Sequence, residues 1–384
     1  MHRKHQTSML TSSSGMLEHQ GSFNRARLTL ARKRRGLTKR ELSDLVRVDI
    51  RSVSAYESGE YPPGADTLNK LADVLKFPAE FFSGANLEEI MVDSASFRAM
   101  SKMTASQRDM AISQGRIALH FNIWIESRFE LPKSDVPDLS QERSPEAAAD
   151  SLRRYWGIGE LSIRNMIHLL ESKGVRIFSL SIDSREVDAF STWKDTTPLV
   201  FLNCMKSTER SRFDAAHELG HLVLHRHATP HGREAEREAD LFASAFLMPR
   251  ASVLAIARRY PSLSDLIQLK KNWIVSVAAL TRRLYAVGML SDWEYRSLCI
   301  QMAKNDRTKE PEEAPREVSQ ILPKIFEALY KKGISRSQVA RDLSISPSEL
   351  EELMFGLALA SVDGGRKGSL GTRHAQLTLV DKKI

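Results

Sequence analysis

The chain has 384 residues, 42% of them hydrophobic and 27% charged, with 56 basic against 48 acidic residues and a formal net charge of +8. That length suits two or three domains with real cores, and no apolar run approaches the ~18 residues of a membrane span, so a cytoplasmic protein with no membrane partner is expected. Only Cys204 and Cys299 occur, far apart in sequence; they suit a reducing compartment and argue against a cysteine-based zinc site.

Residues 1–22 are polar and Ser-rich, without the apolar core of a signal peptide, and read as a disordered leader with Met9 and Met16 as internal alternative starts. Positive charge then gathers in Arg25, Arg27, Arg32, Lys33, Arg34, Arg35, Lys39, Arg40, Arg47 and Arg51, opposed by Glu41, Asp44 and Asp49. The apolar spacing over 23–83 marks five short helical segments. The first covers 23–34 and stops at Gly36. Thr38 with Glu41 three residues on forms a capping box for the second. Asp49 is expected to cap the third, 50–57, Asp66 the fourth, ending at Leu75, and Pro78 opens the fifth. Two short helices across a tight turn, in a bundle with a basic surface, fit a helix-turn-helix.

Gly36-Leu-Thr-Lys-Arg-Glu-Leu-Ser43, Val48-Asp-Ile-Arg-Ser-Val-Ser-Ala-Tyr-Glu-Ser-Gly59 and 62–68 closely resemble the Cro/C1-type (XRE) repressor domain. The resemblance implies a double-stranded DNA operator as partner and places Ile50, Arg51, Ser54 and Ala55 against base edges, with Lys39 and Arg40 at phosphate. Arg51 is the best candidate for reading guanine, since a guanidinium can donate twice to its groove edge. A homodimer is the expected state.

Residues 84–146 read as a helical connector and linker. A long helix is expected over 97–131, where Ile117, Phe121, Trp124 and Ile125 recur at three and four. The stretch 131–145, with Pro132 and Pro137, is expected to let the DNA-binding head move. From residue 147 the pattern changes. Helices are expected at 147–156 and 161–173 and strands at 175–180, 187–193 and 198–202, a small sheet placed just before a helix at 213–224.

That helix carries His217-Glu-Leu-Gly-His221. Residues four apart share a helical face, so the two imidazoles point the same way with Glu218 beside them, the geometry of a zinc site with a built-in base. A second amphipathic helix, over 234–248, offers Glu236 to the metal, and Asp240, one turn later, can hydrogen-bond the far nitrogen of a ligating His. Glu234 and Glu238 are expected to be solvated. Together with Glu236-x-x-Ala-Asp240-x-Phe-Ala-x-x-Phe-Leu-Met-Pro249, the motif resembles the ImmA/IrrE family of zinc metallopeptidases over 150–255. The resemblance implies Zn2+ as cofactor, His217, His221 and Glu236 as ligands, Glu218 as catalytic base and a zincin-like domain over 147–255. His225, His227, His231 and Arg212 are candidates to stabilise an oxyanion.

Beyond Pro249 the chain reads as a helical extension over 256–303, with Trp273, Tyr285, Trp293 and Tyr295 packed between helices, and a charged linker at 304–316. A second helix-turn-helix-like segment follows over 317–358, where Glu349, Glu351 and Glu352 would repel phosphate and favour a structural or protein-contact role. Residues 359–384 read as a flexible tail. The expected fold is α+β and mainly helical: an N-terminal five-helix helix-turn-helix domain, a central zincin-like peptidase domain with a small sheet, and a C-terminal helical region. The expected function is a DNA-binding regulator whose endopeptidase domain cleaves a regulatory protein such as a repressor. The alternative is a transcription factor whose zincin-like domain senses a ligand or metal without proteolysis.

Overall fold

The computed structural model describes residues 22–90, 103–180, 189–226, 232–304 and 310–358. The expected leader, apart from residue 22, and the expected tail lie outside them, as do the first residues of the long helix expected from residue 97. The N-terminal head is made of α1 (Arg25–Arg34), α2 (Lys39–Val46), α3 (Ile50–Ser58), α4 (Ala65–Leu75) and a 3-10 turn at Ala79–Ser83. Its helix starts are fixed locally. Asn24 accepts from the Ala26 amide, Thr38 and Glu41 form the capping box, and Asp49 accepts from the Arg51 amide at 2.7 Å. Asp66 is not a cap: Gly64 holds that position without a side-chain bond, and Asp66 sits in the first turn, where its charge faces the positive helix end. Leu28, Leu42, Val53, Leu71 and Leu75 close the core of the head.

Next come α5 (Ala105–Glu126), α6 (Pro145–Tyr155) and α7 (Met166–Ser172), the last starting later than expected because Asn165 caps it. The sheet has β1 (Arg176–Ser179), β2 (Ala189–Lys194) and β3 (Thr197–Leu202) in the order β1-β3-β2, with β1 parallel and β2 antiparallel to the central strand. Phe178, Phe190 and Phe201 stack across it. Helix α8 (Thr208–Leu224) rests on this sheet with α9 (Arg233–Leu247) against α8, and α5 meets β1 through Phe121 on Phe178 and Gln114 on the Ser179 carbonyl. The chain then forms α10 (Arg250–Ile256), α11 (Leu263–Leu269), α12 (Val277–Ala286), α13 (Asp292–Lys304), α14 (Ile321–Lys331), α15 (Arg336–Asp342) and α16 (Pro347–Glu352). The architecture is α+β and mainly helical. No single helix among the described residues is long and apolar enough to cross a membrane.

The described residues of both expected linkers are held. In 131–145, the Asp135 amide donates to the Lys173 carbonyl at 2.9 Å and the Leu139 amide to Val223 at 2.8 Å, while Leu131 and Val136 are buried. A Cβ at Gly174, which has φ +77, would run into the backbone of Lys133 at 2.3 Å. Apolar anchors and bonded amides make this stretch a strap, not the hinge expected for head movement. In the second stretch, Glu313 accepts from the Thr208 amide at 3.0 Å, and Lys270 lies 3.2 Å from Glu310. These contacts tie residues 310–313 to the start of α8 and to Lys270, just after α11. Trp293 is 76% exposed, so it does not pack between helices, whereas Trp273 is buried as expected and Tyr285 stacks on Tyr295.

The C-terminal helices meet the head. Arg34 Nε lies 2.5 Å from Glu349 Oε1, Arg35 pairs with the same carboxylate at 2.9 Å, and Arg34 also reaches Glu352. The Ser179 amide of β1 donates to the Leu353 carbonyl at 2.8 Å, so the segment that holds the head also seals one edge of the sheet.

Candidate functional site

Helix α8 spans the motif, placing His217, His221 and His225 at successive four-residue steps. Gly220 faces α9: a Cβ there would lie 3.0 Å from Phe242 Cδ1 and 3.2 Å from Ala239 Cα. Glycine at this position lets the two helices approach closely and brings Glu236 and Asp240 to the imidazoles.

His217 Nε2 and His221 Nε2 lie 3.1 Å apart. Glu236 puts Oε2 3.7 Å from the first and Oε1 3.5 Å from the second, and one donor atom from each of the three side chains falls within 4.8 Å of the others. Ligand atoms about 2.0–2.1 Å from a tetrahedral zinc are about 3.3 Å from each other, so the donor set fits that ion in spacing and chemistry. The protons agree. His217 Nδ1 is 3.0 Å from Asp240 Oδ1, and a carboxylate can only accept, so His217 donates from Nδ1 and keeps the lone pair of Nε2 for the centre.

Glu218, next to His217 in the chain, is buried. Ser191 Oγ, from β2, donates to Glu218 Oε2 at 2.7 Å. Sequence reasoning missed Ser191, and no local signal marks it, because the bond forms only once the sheet packs on α8.

Two oxyanion candidates are committed elsewhere. Arg212 is buried and donates to Glu317 and to the carbonyls of Ile163 at 2.8 Å and Trp273 at 3.3 Å. His225 lies behind His221, with Nδ1 3.0 Å from His221 Nδ1 and Nε2 2.9 Å from Glu238 Oε2. Glu238, expected to be merely solvated, is therefore a partner of His225. His227 and His231 lie outside the described residues.

On the head, Arg40, Ile50 and Arg51 are exposed and Ser54 is partly buried. Lys39 is partly buried and lies 3.5 Å from Glu57. Ala55 is only 6% exposed; its methyl group packs into the head and is not available to a base edge. Much of the basic run is internal too. Arg32 forks onto Glu57 at 2.7 and 3.1 Å, Arg34 is buried on Glu349, and Arg27 donates to the Ala85 carbonyl at 2.7 Å. The exposed cations of α2 and α3 and the turn between them are Arg40, Arg47 and Arg51.

Residues 28–82 match the helix-turn-helix family model, and residues 170–285 match the model of the IrrE N-terminal-like domain, a peptidase family. The chain thus carries a helix-turn-helix segment followed by an IrrE-like segment. The IrrE-like match runs from α7 through the sheet, α8 and α9 into α12, so the whole donor set, Glu218 and Ser191 lie inside it. No curated protein matches the chain.

Proposed function

We propose that this chain is a cytoplasmic transcription regulator that binds operator DNA as a homodimer and cleaves a regulatory protein, such as a repressor, with a zinc-dependent endopeptidase domain. The observation that carries the reading is the convergence of His217, His221 and Glu236 at zinc spacing, with the two imidazoles on a helix that also carries the buried Glu218. His217, His221 and Glu236 are the ligands, and Asp240 orients His217. When bound there, zinc would supply Lewis-acid chemistry for the scissile carbonyl and the attacking water. Glu218 takes the proton of the attacking water and delivers it to the leaving amine. Ser191 holds Glu218 Oε2 and so fixes the direction in which that proton moves. Burial of the two imidazoles strengthens the electrostatic contacts they make. Strand β2 is an outer strand beside α8, suited to pair with an extended substrate. On DNA, Arg51 reads guanine, Ile50 and Ser54 line the groove, and Lys39 and Arg40 meet phosphate.

The test is incubation of the purified zinc-loaded protein with repressors encoded beside it. Cleavage that stops with a chelator and is lost in Glu218→Gln is the expected result. Zinc bound without cleavage of any such protein would replace proteolysis by sensing.

A further inference from the structure

We infer that His225 and Glu238 form a relay behind His221 that fixes its tautomer and raises the affinity of the centre for zinc. This rests on the metal-centre reading above and adds two positioning residues to it. The observation is a chain of contacts: His221 Nδ1 to His225 Nδ1 at 3.0 Å, then His225 Nε2 to Glu238 Oε2 at 2.9 Å.

Proton bookkeeping gives the chain a direction. A ligating His221 offers the lone pair of Nε2, so its proton is on Nδ1 and is donated to His225 Nδ1. His225, accepting there, carries its own proton on Nε2 and donates it to Glu238, which can only accept. The reverse direction, with His225 donating from Nδ1, either sets the lone pair of its Nε2 against the Glu238 carboxylate or requires a doubly protonated ring. In both cases the proton of His221 moves to the nitrogen that faces His217, where it blocks ligation. One arrangement of protons therefore satisfies all three side chains and the metal.

The two ligating imidazoles are thus supported differently. His217 has a carboxylate directly behind it, Asp240 at 3.0 Å, whereas His221 has a carboxylate one ring further away. Helix α9 supplies Glu236, Glu238 and Asp240, so one helix carries the third ligand and both supporting acids. The His225 side chain is 8% exposed and caps α8, and Glu238 is 39% exposed, so the relay runs from the buried centre to the surface.

The experiment is chelator competition for zinc on the full-length protein at fixed pH. His225→Leu is expected to weaken zinc binding by about 10- to 100-fold, the usual effect of removing a partner behind a ligand. His225→Gln, whose amide oxygen can accept from His221 Nδ1, is expected to recover most of that loss, which a purely structural role for the ring would not produce. Glu238→Ala, at a more exposed position that tolerates truncation, is expected to weaken binding by about 3- to 10-fold. Wild-type affinity in both His225→Leu and Glu238→Ala would overturn the relay, as would a His225→Gln protein as weak as His225→Leu. A wild-type protein that binds no zinc overturns the metal centre itself and the relay with it, a result distinct from equal affinities.

Discussion

Ser191 Oγ donates to Glu218 Oε2 at 2.7 Å, joining an outer strand of the sheet to the acid of the zinc-site motif. Both side chains are buried, so the bond forms where water cannot substitute for it. In Ser191→Ala the carboxylate loses this donor and its fixed direction. Cleavage is expected to slow about tenfold at saturating substrate with zinc affinity unchanged. Equal turnover numbers for the two proteins would show that the hydroxyl does not position Glu218.

Gly220, one residue before the ligand His221, faces α9. A Cβ there meets the backbone of Ala239 at 3.2 Å, and backbone yields less readily than a side chain. Gly220→Ala gains about 1 kcal/mol of helix propensity yet moves α9, and Glu236 with it, away from the imidazoles. Zinc affinity is expected to fall about tenfold with little loss of melting temperature, as for a ligand held in the wrong place. Undiminished affinity would mean that α9 reaches the centre without this close approach.

Arg34 makes the opposite point about the basic run. Its guanidinium is buried on Glu349, whose side chain is 0% exposed, and it faces α16 instead of solvent. Glu349→Gln leaves a buried guanidinium short of its main counter-charge and is expected to cost about 3 kcal/mol, read as a lower urea midpoint. Operator affinity should change little under native conditions. Arg34→Met that abolishes DNA binding with no loss of stability would identify Arg34 as a DNA contact.

On the recognition helix, Arg51 and Ala55 separate cleanly. Arg51→Ala is expected to cost about 1–3 kcal/mol at one base pair and to relax preference there, measured by binding to operators varied at single positions. Ala55→Gly removes a methyl group that packs inside the head, so it should lower stability while leaving the order of preferred operators intact. A changed order in Ala55→Gly would place that residue at the groove.

What the sequence made legible was local. The spacing of His217 and His221, the capping box at Thr38 and the amphipathic face of α9 each follow from residues within a few positions of one another. Ser191 was silent because its role depends on how the sheet seats on α8. Glu238 read as a surface acid because nothing local ties it to His225, although His225 itself continues the four-residue step of the motif and could have been placed behind His221. Arg34 was counted only in the basic run because its partner Glu349 lies 315 residues away. The docking of the two expected linkers was hidden for the same reason: Pro and polar content described their composition, while Leu131, Val136 and Glu313 dock their described parts.

The central claim is that His217, His221 and Glu236 hold one zinc, and metal content tests it most directly. Elemental analysis of the purified chain should give about one zinc per chain, falling close to zero in Glu236→Ala with the helical circular dichroism of the wild type preserved. Equal zinc in the two proteins, or none in the wild type, would contradict the assignment.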